Sequence, residues 1–160
     1  MTIAPIVKTV AVKTSPATAF DLFTQRMGAW WPKGGTLAKT PHAEIVMEPF
    51  EGGRWFERDA SGAETQWGRV LTWVPPSRVL LAWQIDCDWG FNPDLVTEVE
   101  LTFEPSGEGG TLVTLTHRNL ERFGADAARH VERLSNGWSV RLAGFADYAG
   151  QHAAVEAGVG

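Results

Sequence analysis

The chain of 160 residues has a single cysteine, Cys87, and a single tyrosine. One cysteine excludes an internal disulfide and suits a reducing compartment. The 14 lysines and arginines are scattered and the net charge is −5. With no basic cluster there is nothing to hold a phosphate backbone, so nucleic acid is not an expected partner. No apolar run approaches the roughly 20 residues that a bilayer-spanning helix needs. The N-terminus lacks a charged region followed by a long apolar run, so no signal peptide is expected and the expected location is cytoplasmic. Gly-x-Ser-x-Gly and phosphate-cradling glycine loops are missing, and the glycines at 107–110 read as a hairpin turn. His42, His117, His130 and His152 do not stand at zinc-ligand spacing, and Asp86, Asp88 and Asp94 lack the ordered intervals of a calcium loop. No metal and no cofactor are expected.

What the chain has in excess is tryptophan, eight residues in all. Buried indoles fill large volumes and want their N–H groups bonded. So many point to an aromatic interior or an aromatic wall. The length suits one domain, 1–160, with a core that needs no staples.

A helix is expected over 126–149. Val131, Leu134, Trp138, Leu142, Phe145 and Ala149 recur at spacings of three and four and form one apolar stripe. Asp126 can cap its start and Gly150 is the expected stop. Gly137 and Gly144 beside the stripe each cost about 1 kcal/mol relative to alanine. They imply either a close strand or a helix bordering a space that it does not fill.

Upstream, the pattern reads as a sheet built to hold that helix. Strands are expected over 6–13, 44–48, 54–58, 64–73, 78–85, 95–103 and 111–117. Two short helical segments, 17–24 and 27–31, follow the first strand, with Ser15 and Pro16 as a start signal. A loop is expected over 33–36. Gly68 inside the fourth strand suggests a bulge or bend. Hairpin spacing means antiparallel pairing. The alternation of the last two strands means one covered and one wet face. The fold class is therefore α+β, with a seven-stranded antiparallel sheet and a long C-terminal helix.

Several segments resemble one family. They are Trp30-Trp31-Pro32, then Pro49-Phe50-Glu51-Gly52-Gly53-Arg54-Trp55, then Gly68-x-Val70 followed by Pro75, Pro76, Arg78, Leu80 and Trp83. Thr97 to Phe103, Gly109-Gly110-Thr111, Leu115-Thr116-His117 and Gly137-Trp138 complete the set, in the right order over nearly the whole chain. The chain resembles the START-like, or SRPBCC, helix-grip superfamily. Its finer resemblance is to homologues of the activator of the heat-shock-protein-90 ATPase. Trp67, the 86–88 segment and Gly144 depart from that pattern. The resemblance implies a curved sheet wrapped around the helix with a ligand cavity between them. It implies no single chemistry, since members bind lipids, sterols or hormones, or cyclise polyketides. The co-chaperone activity belongs to longer members with a further N-terminal domain and is not carried over.

Three function classes follow. The first is a binding module for a small hydrophobic or aromatic molecule, with Trp67, Trp83, Phe103, Leu115 and Trp138 as walls and Trp30, Trp31, Trp89 and Phe91 at the mouth. The second is a cyclase- or aromatase-like enzyme in the same cavity, using His117 or Arg69 for proton transfer and oxyanion stabilisation. The third is a co-chaperone-like interaction domain, which a large exposed apolar patch would favour. Strand parity groups His117 with Val113 and Leu115, where it either works in the cavity or is a satisfied histidine at a strand end. The same parity groups Arg69 with Trp67, unless a bulge at Gly68 reverses it. Exposed sheet edges leave a homodimer open.

Overall fold

The computed structural model describes residues 3–32 and 42–159. The loop expected over 33–36 lies outside them. The last two strands set the frame. Strands β6 (Thr97–Ser106) and β7 (Gly110–Arg118) form a hairpin whose alternate residues are buried. Thr97, Val99, Leu101 and Phe103 share the covered face with Thr111, Val113, Leu115 and His117. β1 (Ile6–Val12) pairs with the far side of β7, and β5 (Arg78–Trp83), β4 (Glu64–Val74), β3 (Arg54–Asp59) and β2 (His42–Met47) follow β6. The result is one antiparallel sheet in the order β1-β7-β6-β5-β4-β3-β2. This is a meander whose first strand crosses to the far edge, as the hairpin spacing predicts for all but that strand.

Two short helices make the crossover, α1 (Pro16–Gln25) and α2 (Met27–Trp30). Ser15 caps α1 by accepting from the Thr18 amide at 3.3 Å, and Pro16 takes the first turn, where its missing N–H costs nothing. After β7, a 3-10 turn over Leu120–Phe123 leads into α3 (Ala127–Val159). The Asp126 carbonyl accepts from the His130 amide, so the residue stands where a cap stands. Helix α3 does not stop at Gly150 but runs on to Val159. That glycine keeps a helical backbone, and the residues after it, 151–157, are mostly good helix formers that offset its cost of about 1 kcal/mol. With 33 residues the helix is about 50 Å long at 1.5 Å per residue. None of the described helices is both long and apolar enough to cross a membrane.

The core lies between the covered sheet face and the α3 stripe. Leu134, Trp138, Leu142, Phe145 and Ala149 are all buried there, with Val131 packed at its edge. Phe103, Phe20, Phe23, Trp30 and Phe145 meet edge to face or tilted, at 4.9–6.0 Å, where α1 and α2 close one end. The strand expected over 78–85 ends at Trp83, and β6 begins at Thr97 rather than 95. Between them the chain is irregular, pinned by the isolated pair Ile85–Phe91 and by Asp86, whose carboxylate accepts from the Asp88 and Gly90 amides.

Candidate functional site

The site begins with a bulge. In β3 and β4, Trp55 pairs with Gly68 but Phe56 pairs with Gln66, which leaves Trp67 as the extra residue. Gly68 is required there, because a Cβ would lie 1.8 Å from the Ala82 carbonyl oxygen. The inserted residue reverses the parity of the strand. Trp67 and Val70 turn inward, while Arg69 turns to the outer face and is exposed. There its Nη1 reaches Gln84 Oε1 at 3.4 Å. Arg69 is therefore not a group that faces the helix, contrary to the parity expectation without a bulge.

The bulge completes a closed ring of five indoles. Trp31 meets Trp67 at 4.9 Å between ring centroids, Trp67 meets Trp55 at 5.5 Å, and Trp55 meets Trp83 at 5.8 Å. Trp83 meets Trp138 at 5.4 Å, and Trp138 returns to Trp31 at 6.0 Å. The sheet, the residue that ends α2, and α3 each contribute, so the ring spans the interface where the helix is gripped. Each such contact adds roughly 0.5–1.5 kcal/mol beyond the area that it buries. Trp30 and Trp31 do not stand at a mouth: they are only 5% and 3% exposed. Trp30 packs deep in the core and donates to the Leu22 carbonyl. Trp89 and Phe91 keep about a third of their surface exposed, and Trp89 lies 5.0 Å from His130 with the Arg133 guanidinium over it. Phe103 belongs to the opposite, α1 end of the core rather than to the ring.

His117 is fully buried against this ring, 5.5 Å from Trp83. Its Nδ1 accepts from Trp138 Nε1 at 3.1 Å. The Thr97 hydroxyl donates to the Trp83 carbonyl, so His117 Nε2, 2.8 Å away, must carry the proton and donate to Thr97 Oγ1. Both ring nitrogens are used. Burial, then the charges of His130 and Arg141, push its pKa down to about 3. A neutral imidazole with both nitrogens engaged is a structural strut between β7 and α3. It is not poised for proton transfer near neutral pH.

The cation in this region is Arg141, which sequence reasoning passed over. It is 9% exposed and lies over three of the five indoles, 4.7 Å from Trp31, 5.1 Å from Trp138 and 5.9 Å from Trp83. Its Nη1 is sealed from solvent without a hydrogen-bond partner among the described residues. Burial alone pulls its pKa down, to about 10, so it stays charged. Gly137 leaves room beside it: a Cβ at 137 would lie 2.9 Å from Arg141 Nη1, the end of a flexible side chain. Gly144 serves the backbone instead, since its Cβ would sit 3.0 Å from the Trp30 carbonyl oxygen. Neither glycine answers to a close strand. The signal was in the spacing. Arg141 stands three residues after Trp138 and four before Phe145, on the apolar stripe, one turn beyond a helical glycine.

Two more donors in the ring, Trp55 Nε1 and Trp83 Nε1, are buried without partners among the described residues. Trp67 Nε1, in contrast, donates to the fully buried Glu57 carboxylate at 2.7 Å. Three surface depressions of about 390–470 Å³ take no wall from the ring. Cys87 sits outside the ring, its thiol pushed up mainly by burial and directed at the Phe123 carbonyl.

A curled antiparallel sheet gripping a long C-terminal helix, with two short helices after the first strand, defines a helix-grip protein of the START-like class. The chain belongs to the family described as activator of Hsp90 ATPase homolog 1-like protein, whose model matches residues 13–150. It is 40% identical to an anthrahydroquino-gamma-pyrone synthase, Txn09, over 91% of this chain and 97% of that one, with a TM-score of 0.65. It is 27% identical to the self-sacrificing resistance protein CalC of Micromonospora echinospora, over 93% and 96%, with a TM-score of 0.73. The dimeric Aha1 of Colwellia psychrerythraea shares the fold at 18% identity and a TM-score of 0.63, over 92% and 97%. No curated protein matches.

Proposed function

We propose that this protein binds a flat, aromatic, polyketide-class molecule between the sheet and α3, against the tryptophan ring. The closed ring of five indoles at the gripped interface carries the reading. Indole faces recognise flat conjugated rings by stacking, and since the five are at most 3% exposed a ligand would enter by parting α3 from the sheet. The 40% identity to Txn09 supports the ligand class. The test is quenching of tryptophan fluorescence by hydroxyanthraquinones, flavonoids and fatty acids, with native mass spectrometry beside it. Saturable quenching and a bound mass with the flat aromatics are expected. Failure of every flat aromatic to bind would overturn the reading.

The same identity favours a second reading, a ring-closing enzyme. Closure of a γ-pyrone joins a phenol oxygen to a side-chain carbonyl carbon and releases water. Its test is an ortho-hydroxyaryl 1,3-diketone followed by absorbance. Conversion faster than in buffer supports catalysis, and no acceleration leaves binding alone. His117 and Arg69 do not serve this reading, the first being neutral and doubly bonded and the second lying on the outer face. The co-chaperone reading has less behind it: the exposed large apolar side chains among the described residues, Val7, Phe50, Val74, Trp89, Phe91 and Val140, come from five places in the chain.

A further inference from the structure

Among the described residues no carboxylate pairs with the Arg141 charge. Removing a guanidinium from water costs several kcal/mol even after relaxation, and buried charges are normally paired. Three indole faces return part of that through cation–π attraction. They make no hydrogen bond to Nη1, whose N–H groups have no partner among the described residues. Burial is the cause that shifts Arg141, with no carboxylate acting on it. Glu57 accepts from Trp67, and His117 is neutral. The neighbouring orphans, Trp55 Nε1 and Trp83 Nε1, are donors as well. The Arg141 guanidinium lies 5.9 Å from the Trp83 ring and Trp83 lies 5.8 Å from Trp55, so the three side chains are neighbours. A buried guanidinium N–H that no described residue accepts, with two more such donors on neighbouring indoles, is complementary to an anionic oxygen. Gly137 leaves the space in which the guanidinium is held on its indoles.

We infer that Arg141 is the anion-recognising group of the site, so that the ligand presents a deprotonated oxygen (carboxylate, phenolate or enolate) to its guanidinium while its rings lie on the tryptophans. This deepens the proposed function and rests on it. The site then selects flat aromatic acids over neutral molecules of the same shape. In a ring-closing reaction the same cation would hold an enolate or phenolate oxygen.

The experiment compares anthraquinone-2-carboxylate with anthraquinone-2-carboxamide, which share shape and differ in charge. Dissociation constants come from tryptophan quenching and native mass spectrometry, for the wild-type chain, Arg141→Gln, Arg141→Lys and Gly137→Ala. The wild type is expected to prefer the carboxylate by about tenfold or more, the range of one charge-assisted hydrogen bond. Arg141→Gln should lose that preference and keep its affinity for the carboxamide. Arg141→Lys should retain part of it, since the charge remains without the planar fork. Gly137→Ala keeps the arginine but displaces the guanidinium, so it should weaken the preference even if Arg141→Gln does not fold. Equal binding of the two probes by the wild type, or a preference that survives both Arg141→Gln and Gly137→Ala, would overturn the inference and leave Arg141 a structural cation on its indoles. If the wild type binds neither probe nor any other flat aromatic, the proposed function falls, and this inference with it.

Discussion

At the scale of single residues, one glycine decides which side chains enter the site. A Cβ at Gly68 would collide with the Ala82 carbonyl oxygen at 1.8 Å, and no rotamer relieves a backbone clash. Gly68→Ala must therefore part β4 from β5 or lose the bulge that places Trp67 inside. Overpacking typically costs 1–3 kcal/mol, and a backbone collision belongs at about 3 kcal/mol or above. Urea unfolding checks this, and a variant within about 1 kcal/mol of wild type would disprove the bulge geometry. The suspected bulge was legible in the isolated glycine, but its register was not. Gly68 alone does not say whether the extra residue is Gln66, Trp67 or Arg69, and that choice exchanges Arg69 for Val70 on the inner face. Arg141 was illegible for a different reason. Arginine is ordinarily exposed, and only the coincidence of Gly137, Trp138 and Phe145 around it marks an arginine turned inward.

At the scale of the element, α3 carries the fold. Its apolar stripe from Leu134 to Ala149 could be read directly from spacing, as could the alternation of β6 and β7, because both reflect a fixed backbone period. The helix end could not, since Gly150 is permissive rather than prohibitive and nothing after it forces a stop. The stripe is graded, and mutation should follow the grading. Phe145 is fully buried and meets Phe23 and Trp30 at 5.2 Å each, whereas Val131 only packs at the edge. Phe145→Ala is expected to cost about 3–5 kcal/mol through a cavity that neighbouring rings cannot fill. Val131→Ala should cost clearly less, about 1 kcal/mol. Thermal and urea denaturation of the two variants give the comparison. Equal costs would mean that α3 is not gripped where its stripe says it is. Trp30 and Trp31 belong to the same lesson. Their position after two short helices, followed by Pro32, looked like a loop at a rim. The crossover instead folds them under α3, where the Gly144 turn makes room for the Trp30 carbonyl.

At the scale of the whole molecule, the buried histidines make stability depend on pH in a window of their own. His117 is held well below its ordinary value, at about 3, chiefly by burial, with His130 and Arg141 adding repulsion. His130 is lowered to about 4, by burial and then Arg133, with Asp86 opposing. In the unfolded chain both take up a proton near pH 6.5. Above that pH both states are neutral at these sites and nothing is lost. As pH falls below it, the unfolded state binds protons that the folded state refuses, so stability drops. For His117 the slope approaches about 1.4 kcal/mol per pH unit, continuing toward pH 3. Glu64, which Arg58 and Arg54 hold below the ordinary carboxylate range, adds its own loss only at lower pH. The interval from pH 6.5 to 5 therefore belongs mainly to the histidines. Urea midpoints should be flat from pH 8 to 7 and fall between pH 6.5 and 5. Nitrogen-15 shifts of the His117 ring should still show the neutral form, protonated on Nε2, at pH 5. A His117 ring that titrates near 6.5 in the folded protein would break the hydrogen-bond assignment. It would also restore that residue as a proton-transfer group facing the tryptophan ring.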